Sequence, residues 1–316
     1  MSEKMWGYLM HLGDNMWGDP GSRIRNEPAY YPELQVDDSV WRDTIDFLPA
    51  QGFNMVLIDI GDGIQYDSHP EISVKGAWPK EKLKAELDRM RAMGLTPYPK
   101  LNFSAGHDAW LGIYSRMLST PKYYEVCRDL ILEVSELFDT PEYFHLGLDE
   151  EDPVNQGGLS MIIVRQMELY WHDVYKLFDF CEEAGTTPWV WATYSWTDGH
   201  LEEYLRRMPK SVLQSNAWYN RFKKLPDGTY SAKQVNIYKT LDEAGYKQIM
   251  CGSLYENYSA CYLESMQMWK DELSDNVLGI MAAPWFNPRT KARYNLLNDA
   301  YRFGFAKKEV FPEHCK

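Results

Sequence analysis

Short apolar runs alternate along the chain with longer amphipathic ones, a rhythm that predicts parallel strands joined by helices. The first apolar run, Trp6–Leu12, precedes a long Gly/Asp/Pro-rich loop and a predicted helix from Val40 to Ala50. Phe53–Ile60 reads as a buried strand, Pro79–Met93 as a helix with its charges on one face, and Leu95–Leu101 as the third strand. Pro121–Phe138 is predicted helical, and Tyr143–Leu148 is the fourth strand. In the second half, helix Ile162–Ala184 leads to strand Pro188–Thr193, and helix Leu201–Met208 to strand Ser211–Ser215. Helix Ala232–Ala244 leads to strand Gln248–Gly252, helix Ala260–Leu273 to strand Val277–Ala282, and helix Lys291–Phe305 closes the chain. Gly52, Gly94, Gly185 and Gly245 each end a helical run just before a strand, where a left-handed cap suits glycine. Eight strand–helix units of about 40 residues predict one α/β domain over residues 1–316, a (β/α)8 TIM barrel.

A barrel of this kind presents its chemistry where the strands end, so the residues just after each strand are the candidates. The most informative segment is His145-Leu146-Gly147-Leu148-Asp149-Glu150, an apolar strand closed by two carboxylates and followed by Glu151 and Asp152. Neighbouring side chains of a strand leave on opposite sides. Two adjacent acids aimed differently can hold different roles and different proton affinities. The second strand is followed by Asp59, Asp62, Tyr66, Asp67 and His69, and the third by Asn102, Ser104, Gly106, His107, Asp108 and Trp110. Later strands add Trp191, Tyr194, Trp196, Asn216, Trp218 and Tyr219, then Tyr255, Glu256, Asn257, Trp285, Phe286 and Asn287. Acids, histidines and a ring of Trp and Tyr therefore converge on one face, a set better suited to a glycoside than to a phosphate.

Composition sharpens this picture. Aromatic residues make up 15% of the 316 positions, with 12 Trp and 22 Tyr, and such rings stack on the apolar faces of sugars. A formal net charge of −13 argues against nucleic acid, which needs a basic surface. The 5 cysteines, at 127, 181, 251, 261 and 315, have neither metal-site nor disulfide-framework spacing and read as reduced thiols. The N-terminus lacks the pattern of a secretion signal, and no apolar run approaches about 18 residues, so the expectation is a cytoplasmic protein without a membrane partner. Phosphate-loop, nicotinamide and nucleophile-elbow motifs are missing, and no cofactor is expected. No metal is expected either. Asp149, Glu151 and Asp152 could hold a hard cation, but histidines at ligand spacing are lacking.

These motifs resemble the catalytic barrel of glycoside hydrolase family 20, the β-N-acetylhexosaminidases. That family carries His-x-Gly-Gly-Asp-Glu at the end of its fourth strand, matched by His145 to Glu150. Its strand-three pattern, Pro-Glu-x-Asp-x-Pro-Gly-His, is similar to Pro99 through His107, which is one residue longer, and its aspartate-rich turn resembles Asp59 to Asp62. The resemblance implies that Glu150 is the general acid and that Asp149 orients the 2-acetamido group of the substrate. The carbonyl oxygen of that group would attack the anomeric carbon, a recognised exception to the two-carboxylate scheme. It further implies that His107 pairs with Glu150, that Asp62 holds His107, and that Tyr219 steadies the acetamido carbonyl. Trp191 and Trp285 would wall the sugar pocket, with Trp196 and Trp218 as additions. The chain departs from the family where His11, Asp14 and Asn15 occupy the stretch of a strand-one arginine, and where Asn287 replaces a glutamate. Asn220 and Arg221 stand in place of an aspartate, and Lys100 and Asn102 replace two acids. His11 and Asn287 are thus the expected contacts to the outer part of the sugar.

The implied activity is exo-acting, retaining hydrolysis of a terminal N-acetylated hexosamine from an oligosaccharide or small glycoside. Two other readings of the residues stay open. A glycosidase for a non-acetylated β-linked sugar would use a second carboxylate, with Glu256 as nucleophile. A non-catalytic barrel would only bind glycans through its aromatic ring.

Overall fold

The protein is described by a computed structural model over residues 4–24, 27–197, 199–254 and 261–315. Strand β1 (Met5–His11) is followed by a long loop holding a small antiparallel pair, β2 (Arg23–Ile24) and β3 (Glu27–Pro28). Helix α1 (Asp38–Phe47) leads to β4 (Met55–Asp59), α2 (Lys80–Ala92) to β5 (Thr96–Lys100), and α3 (Pro121–Leu137) to β6 (Tyr143–His145). Then come α4 (Glu168–Glu183), β7 (Thr187–Trp191), α5 (Leu201–Arg207), β8 (Leu213–Ala217), α6 (Lys233–Glu243) and β9 (Gln248–Gly252). Helix α7 (Cys261–Glu272), β10 (Val277–Ala282) and α8 (Arg293–Val310) complete the order. Parallel pairing closes the sheet in the order β1-β10-β9-β8-β7-β6-β5-β4, the (β/α)8 barrel expected from the sequence. None of the described helices is long and apolar enough to cross a membrane.

Alternation along the strands sorts their side chains into two cores. Tyr8, Met10, Val56 and Ile58 point outward and pack under the helices. Leu9, Met55, Leu57, Tyr98, Tyr143 and Trp189 point inward and fill the barrel. The same inward parity carries His11, Asp59, Lys100 and His145, all buried, to the carboxyl end of the bore. There Lys100 donates to Asp59, and His11 Nδ1 lies 3.5 Å from the same carboxylate. Burial opposes ionisation of Asp59, but the charge of Lys100, with His11 close by, outweighs it and lowers the carboxyl to about 2.

Of the boundaries that differ from expectation, two do so for identifiable reasons. The fourth barrel strand ends at His145 rather than Leu148, because Gly147 and Leu148 take φ of 73° and 67°. Its neighbour β5 adds a cause: Pro97 and Pro99 have no N–H to offer, so β5 and β6 pair only at Lys100↔His145, with Leu101 N–H donating to the His145 carbonyl. Helix α4 begins at Glu168 rather than Ile162, the preceding residues being spent on a loop. The cap glycines follow the expectation, with φ of 83° at Gly52 and 75° at Gly185.

Candidate active site at the carboxyl end of the barrel

Neighbouring strand residues would point apart, and the turn after β6 is what brings the two acids to one side. Gly147 packs so closely on the third-strand loop that a Cβ there would stand 1.9 Å from Asn102 Oδ1. Leu148 and Glu150 are non-glycine residues at φ of 67° and 55°, a conformation costing about 1–3 kcal/mol each. The loop after β5 holds them. Ser104 Oγ donates to the Asp149 carbonyl, and Gly106 lies against the Glu150 carbonyl, where a Cβ would come to 2.6 Å. Gly106 thereby places its neighbour His107 beside the acids.

Both carboxylates meet the same imidazole nitrogen. His107 Nε2 lies 3.1 Å from Glu150 Oε2 and 3.4 Å from Asp149 Oδ2, while Asn102 Nδ2 donates to Asp149 Oδ1 at 2.9 Å. Burial pulls the His107 pKa down, but the two carboxylates outweigh it and the net shift is upward. Glu150 keeps 47% of its side chain exposed, open to the cavity that it lines, whereas His107 is buried. The next two acids serve the loop instead. Glu151 accepts from Arg165, a fully buried guanidinium that also reaches Asp173 at 3.2 Å and the Phe103 carbonyl at 3.1 Å. Asp152 accepts from the amides of Val154 and Asn155. The cation set Asp149, Glu151 and Asp152 is therefore not formed. One ligand atom each of His107, Asp149 and Glu150 does lie within 4.8 Å of the others, close enough for one metal ion to bridge them.

Three expected site residues are placed elsewhere. Asp62 does not hold His107; its carboxylate accepts from Asn15 Nδ2 at 2.6 Å, and burial raises its pKa to about 7. His107 Nδ1 has no hydrogen-bond partner among the described residues. His11 is an inward residue of β1 and is 1% exposed; it lies beneath Trp285, with ring centroids 5.4 Å apart, and is shut off from the cavity. Asn287 does not line the cavity, because the chain turns there and its carbonyl accepts from the Arg289 amide. Arg289 faces the cavity in its place. Glu256, with Tyr255 and Asn257, lies outside the described residues.

The cavity above the barrel measures about 1010 Å³. Trp191, Trp196, Trp218, Tyr219 and Trp285 all line it, together with His107, Asp149 and Glu150. Trp191 and Trp285 are 6.2 Å apart, and Trp285 Nε1 donates to the Tyr219 hydroxyl at 3.0 Å. The long loop after β1 supplies a further wall that the sequence pattern does not reveal, including Asp14, Trp17 and Tyr31. Trp17 stands edge-on to His107 at 6.1 Å. The Asp19 amide donates to the Gly158 carbonyl and the Ser160 amide to Asp19 Oδ2, which ties this loop to the one after β6.

No protein-family model matches the chain, and no curated protein matches it in sequence. Solved structures do match in fold. The Flavobacterium johnsoniae chitobiase superposes with a TM-score of 0.61 at 18% identity, over 89% of this chain and 51% of that one. The present chain thus spans about half of the chitobiase length. Dispersin B gives 0.58 at 14% identity, over 97% of this chain and 99% of that one. A glycoside hydrolase family 5 enzyme from Prevotella bryantii gives 0.53 at 13% identity, over 95% of both chains. At these identities the likeness concerns the barrel alone.

Proposed function

We propose that the protein is a retaining, exo-acting glycoside hydrolase of the β-N-acetylhexosaminidase type, in which the substrate's own 2-acetamido group is the nucleophile. The observation that carries this reading is the approach of His107 Nε2 to both Glu150 and Asp149 at the wall of a tryptophan-lined cavity. A proton held between His107 Nε2 and Glu150 is well placed for delivery to a glycosidic oxygen, and Glu150 would later take it back from water. Asp149, fixed by Asn102, would accept from the acetamido N–H and turn the carbonyl oxygen toward the anomeric carbon. The Tyr219 hydroxyl, itself oriented by Trp285, would donate to that oxygen. Trp191 and Trp285 would enclose the apolar faces of the ring. Barrels of similar fold include a chitobiase, which agrees with a sugar substrate.

A panel of nitrophenyl glycosides tests the reading. Hydrolysis of the N-acetyl-β-glucosaminide or N-acetyl-β-galactosaminide, blocked by a thiazoline mimic of the cyclised intermediate, is expected. Equal cleavage of the plain glucoside would overturn the role of the acetamide. A second reading comes from the 4.8 Å grouping of His107, Asp149 and Glu150, which would make the same site a divalent-cation centre. Loss of activity in chelator, restored by one added metal, would favour it.

A further inference from the structure

Apolar side chains left in solvent are concentrated in one stretch of the chain. Five of the ten exposed large apolar residues among those described, Val154, Met161, Ile162, Met167 and Leu169, lie in the loop after β6 or at the start of α4. Single residues of this kind are ordinary, whereas a concentration marks a surface that something covers. The polar groups of the loop are turned inward. Asp152 accepts from the amides of Val154 and Asn155 and from Asn155 Nδ2, the last at 2.7 Å. Gln156 is buried; it donates to the Ile163 carbonyl at 2.8 Å and accepts from the Ile163 amide at 2.7 Å, which folds the loop back on itself. Arg116 Nη1 anchors the far side by donating to the Met161 carbonyl at 3.0 Å. The loop is thus a held structure with its hydrogen bonds spent and its apolar groups outward.

We propose that this loop, with Trp17, binds an apolar leaving group, an alkyl or aryl aglycone rather than a second sugar; this rests on the function proposed above and names the substrate class. The general acid gives its proton to the glycosidic oxygen, the bond from that oxygen to the anomeric carbon breaks, and the aglycone departs as an alcohol or phenol across Glu150. Val154 follows Glu150 on the same loop, lines the same cavity and is 87% exposed. Trp17 lines the cavity from the loop after β1 and stands beside His107, the partner of Glu150. The leaving group therefore meets an indole and an isopropyl group first, with Met161 and Ile162 beyond them on the folded-back loop. A second sugar would bring hydroxyls that each need a partner to replace water. The Val154 side chain offers none, and Asn155 Nδ2 is taken by Asp152. An alkyl chain needs no partner and gains up to about fourfold in affinity for each methylene removed from water.

The test measures kcat/KM for ethyl, butyl and octyl N-acetyl-β-glucosaminides, below micelle-forming concentrations, on wild type and on Val154→Ser/Met161→Ser/Ile162→Ser. All three side chains are exposed, so the variant removes apolar surface without opening the core, which a thermal melt verifies. Wild type is expected to gain roughly tenfold or more from ethyl to octyl, and the octyl-to-ethyl ratio should fall about tenfold in the variant. A naphthyl glycoside, compared between the two proteins so that the better leaving ability of a phenol cancels, separates the sources. A loss on octyl alone identifies a lipid-like chain, and a loss on both a general apolar site. No gain with chain length, an equal gain in both proteins, or a loss on diacetylchitobiose as large as that on octyl would overturn the proposal. If wild type cleaves none of these compounds, the hydrolase reading fails on its own. Dissociation constants of the ethyl and octyl glycosides, read by tryptophan fluorescence, then decide the apolar site by the same ratio.

Discussion

The cavity wall supplied by β5 and β6 differs from the one supplied by β7 and β10 in how its polar atoms are used. On the first, Asn102, Ser104 and Gly106 hold the turn that carries Asp149 and Glu150, and Arg165 ties Glu151 into the buried layer behind it. On the second, the indole N–H groups of Trp191 and Trp196 are buried without acceptors among the described residues, while that of Trp285 has Tyr219. Proton transfer needs groups fixed at hydrogen-bond distance, which a dense network provides. Recognition of a sugar needs apolar faces on which its ring can lie. The polar wall is therefore suited to chemistry and the aromatic wall to binding.

That division is broken most directly at Glu150. Glu150→Gln keeps the shape and removes the transferable proton, so hydrolysis should fall by about 10²–10⁴ with little change in stability. Steady-state rates on an aryl N-acetylhexosaminide, beside a thermal melt, check both halves; a fully active variant would remove Glu150 from the mechanism. The support of the same wall is tested at Arg165, whose side chain is fully buried between Glu151 and Asp173. Arg165→Met leaves two buried carboxylates without their cation and should cost about 3–5 kcal/mol in denaturant unfolding. A loss below about 1 kcal/mol would mean that the loop after β6 does not depend on this anchor.

The same contrast explains what could be read in the chain. The barrel was legible because apolar runs, amphipathic helices and cap glycines agree at Gly52, Gly94, Gly185 and Gly245. The convergence of Asp149, Glu150 and His107 on one cavity was legible because they follow strands within a few residues, where strand direction limits where a side chain can go. His11 was misread because strand parity, not proximity to the cavity, decides its direction, and that parity sends it into the bore beside Asp59. Asp62 was misassigned because its partner, Asn15, comes from the long loop after β1, whose path no periodicity encodes. Trp17, Tyr31 and Arg289 escaped for the same reason. A loop rich in Gly, Asp and Pro announces that it is a loop and not where its tip will rest.

The aromatic wall is probed more gently at Tyr219. Tyr219→Phe retains the ring and removes the hydroxyl that accepts from Trp285 Nε1. If that hydroxyl also serves the acetamido carbonyl, kcat/KM should drop roughly tenfold to a hundredfold on N-acetylated substrates. Any residual cleavage of substrates lacking the acetamide should change far less. Equal losses on both kinds of substrate would reduce Tyr219 to a packing residue.

The last effect lies away from both walls, leaves activity untouched, and sharpens the comparison by its contrast with the acids beside His107. Asp299, in α8, accepts from Tyr262 at 2.8 Å and from the Leu254 amide at 3.1 Å, and its Oδ2 has no partner among the described residues. Burial raises its carboxyl to about 7, with the two hydrogen bonds opposing. Below about pH 4 the group is protonated in folded and unfolded chains alike. Between pH 4 and 7 the unfolded chain releases its proton while the folded one keeps it, so stability falls as pH rises. Above pH 7 the penalty of a buried carboxylate is fully present. Asp299→Asn can keep both accepted hydrogen bonds and never ionises. It should therefore stay close to wild type near pH 4 and exceed it by up to about 4 kcal/mol at pH 8 in denaturant unfolding. A difference independent of pH would show that Asp299 carries no such charge penalty, and that an acid in this fold can stay ionised without a cation beside it.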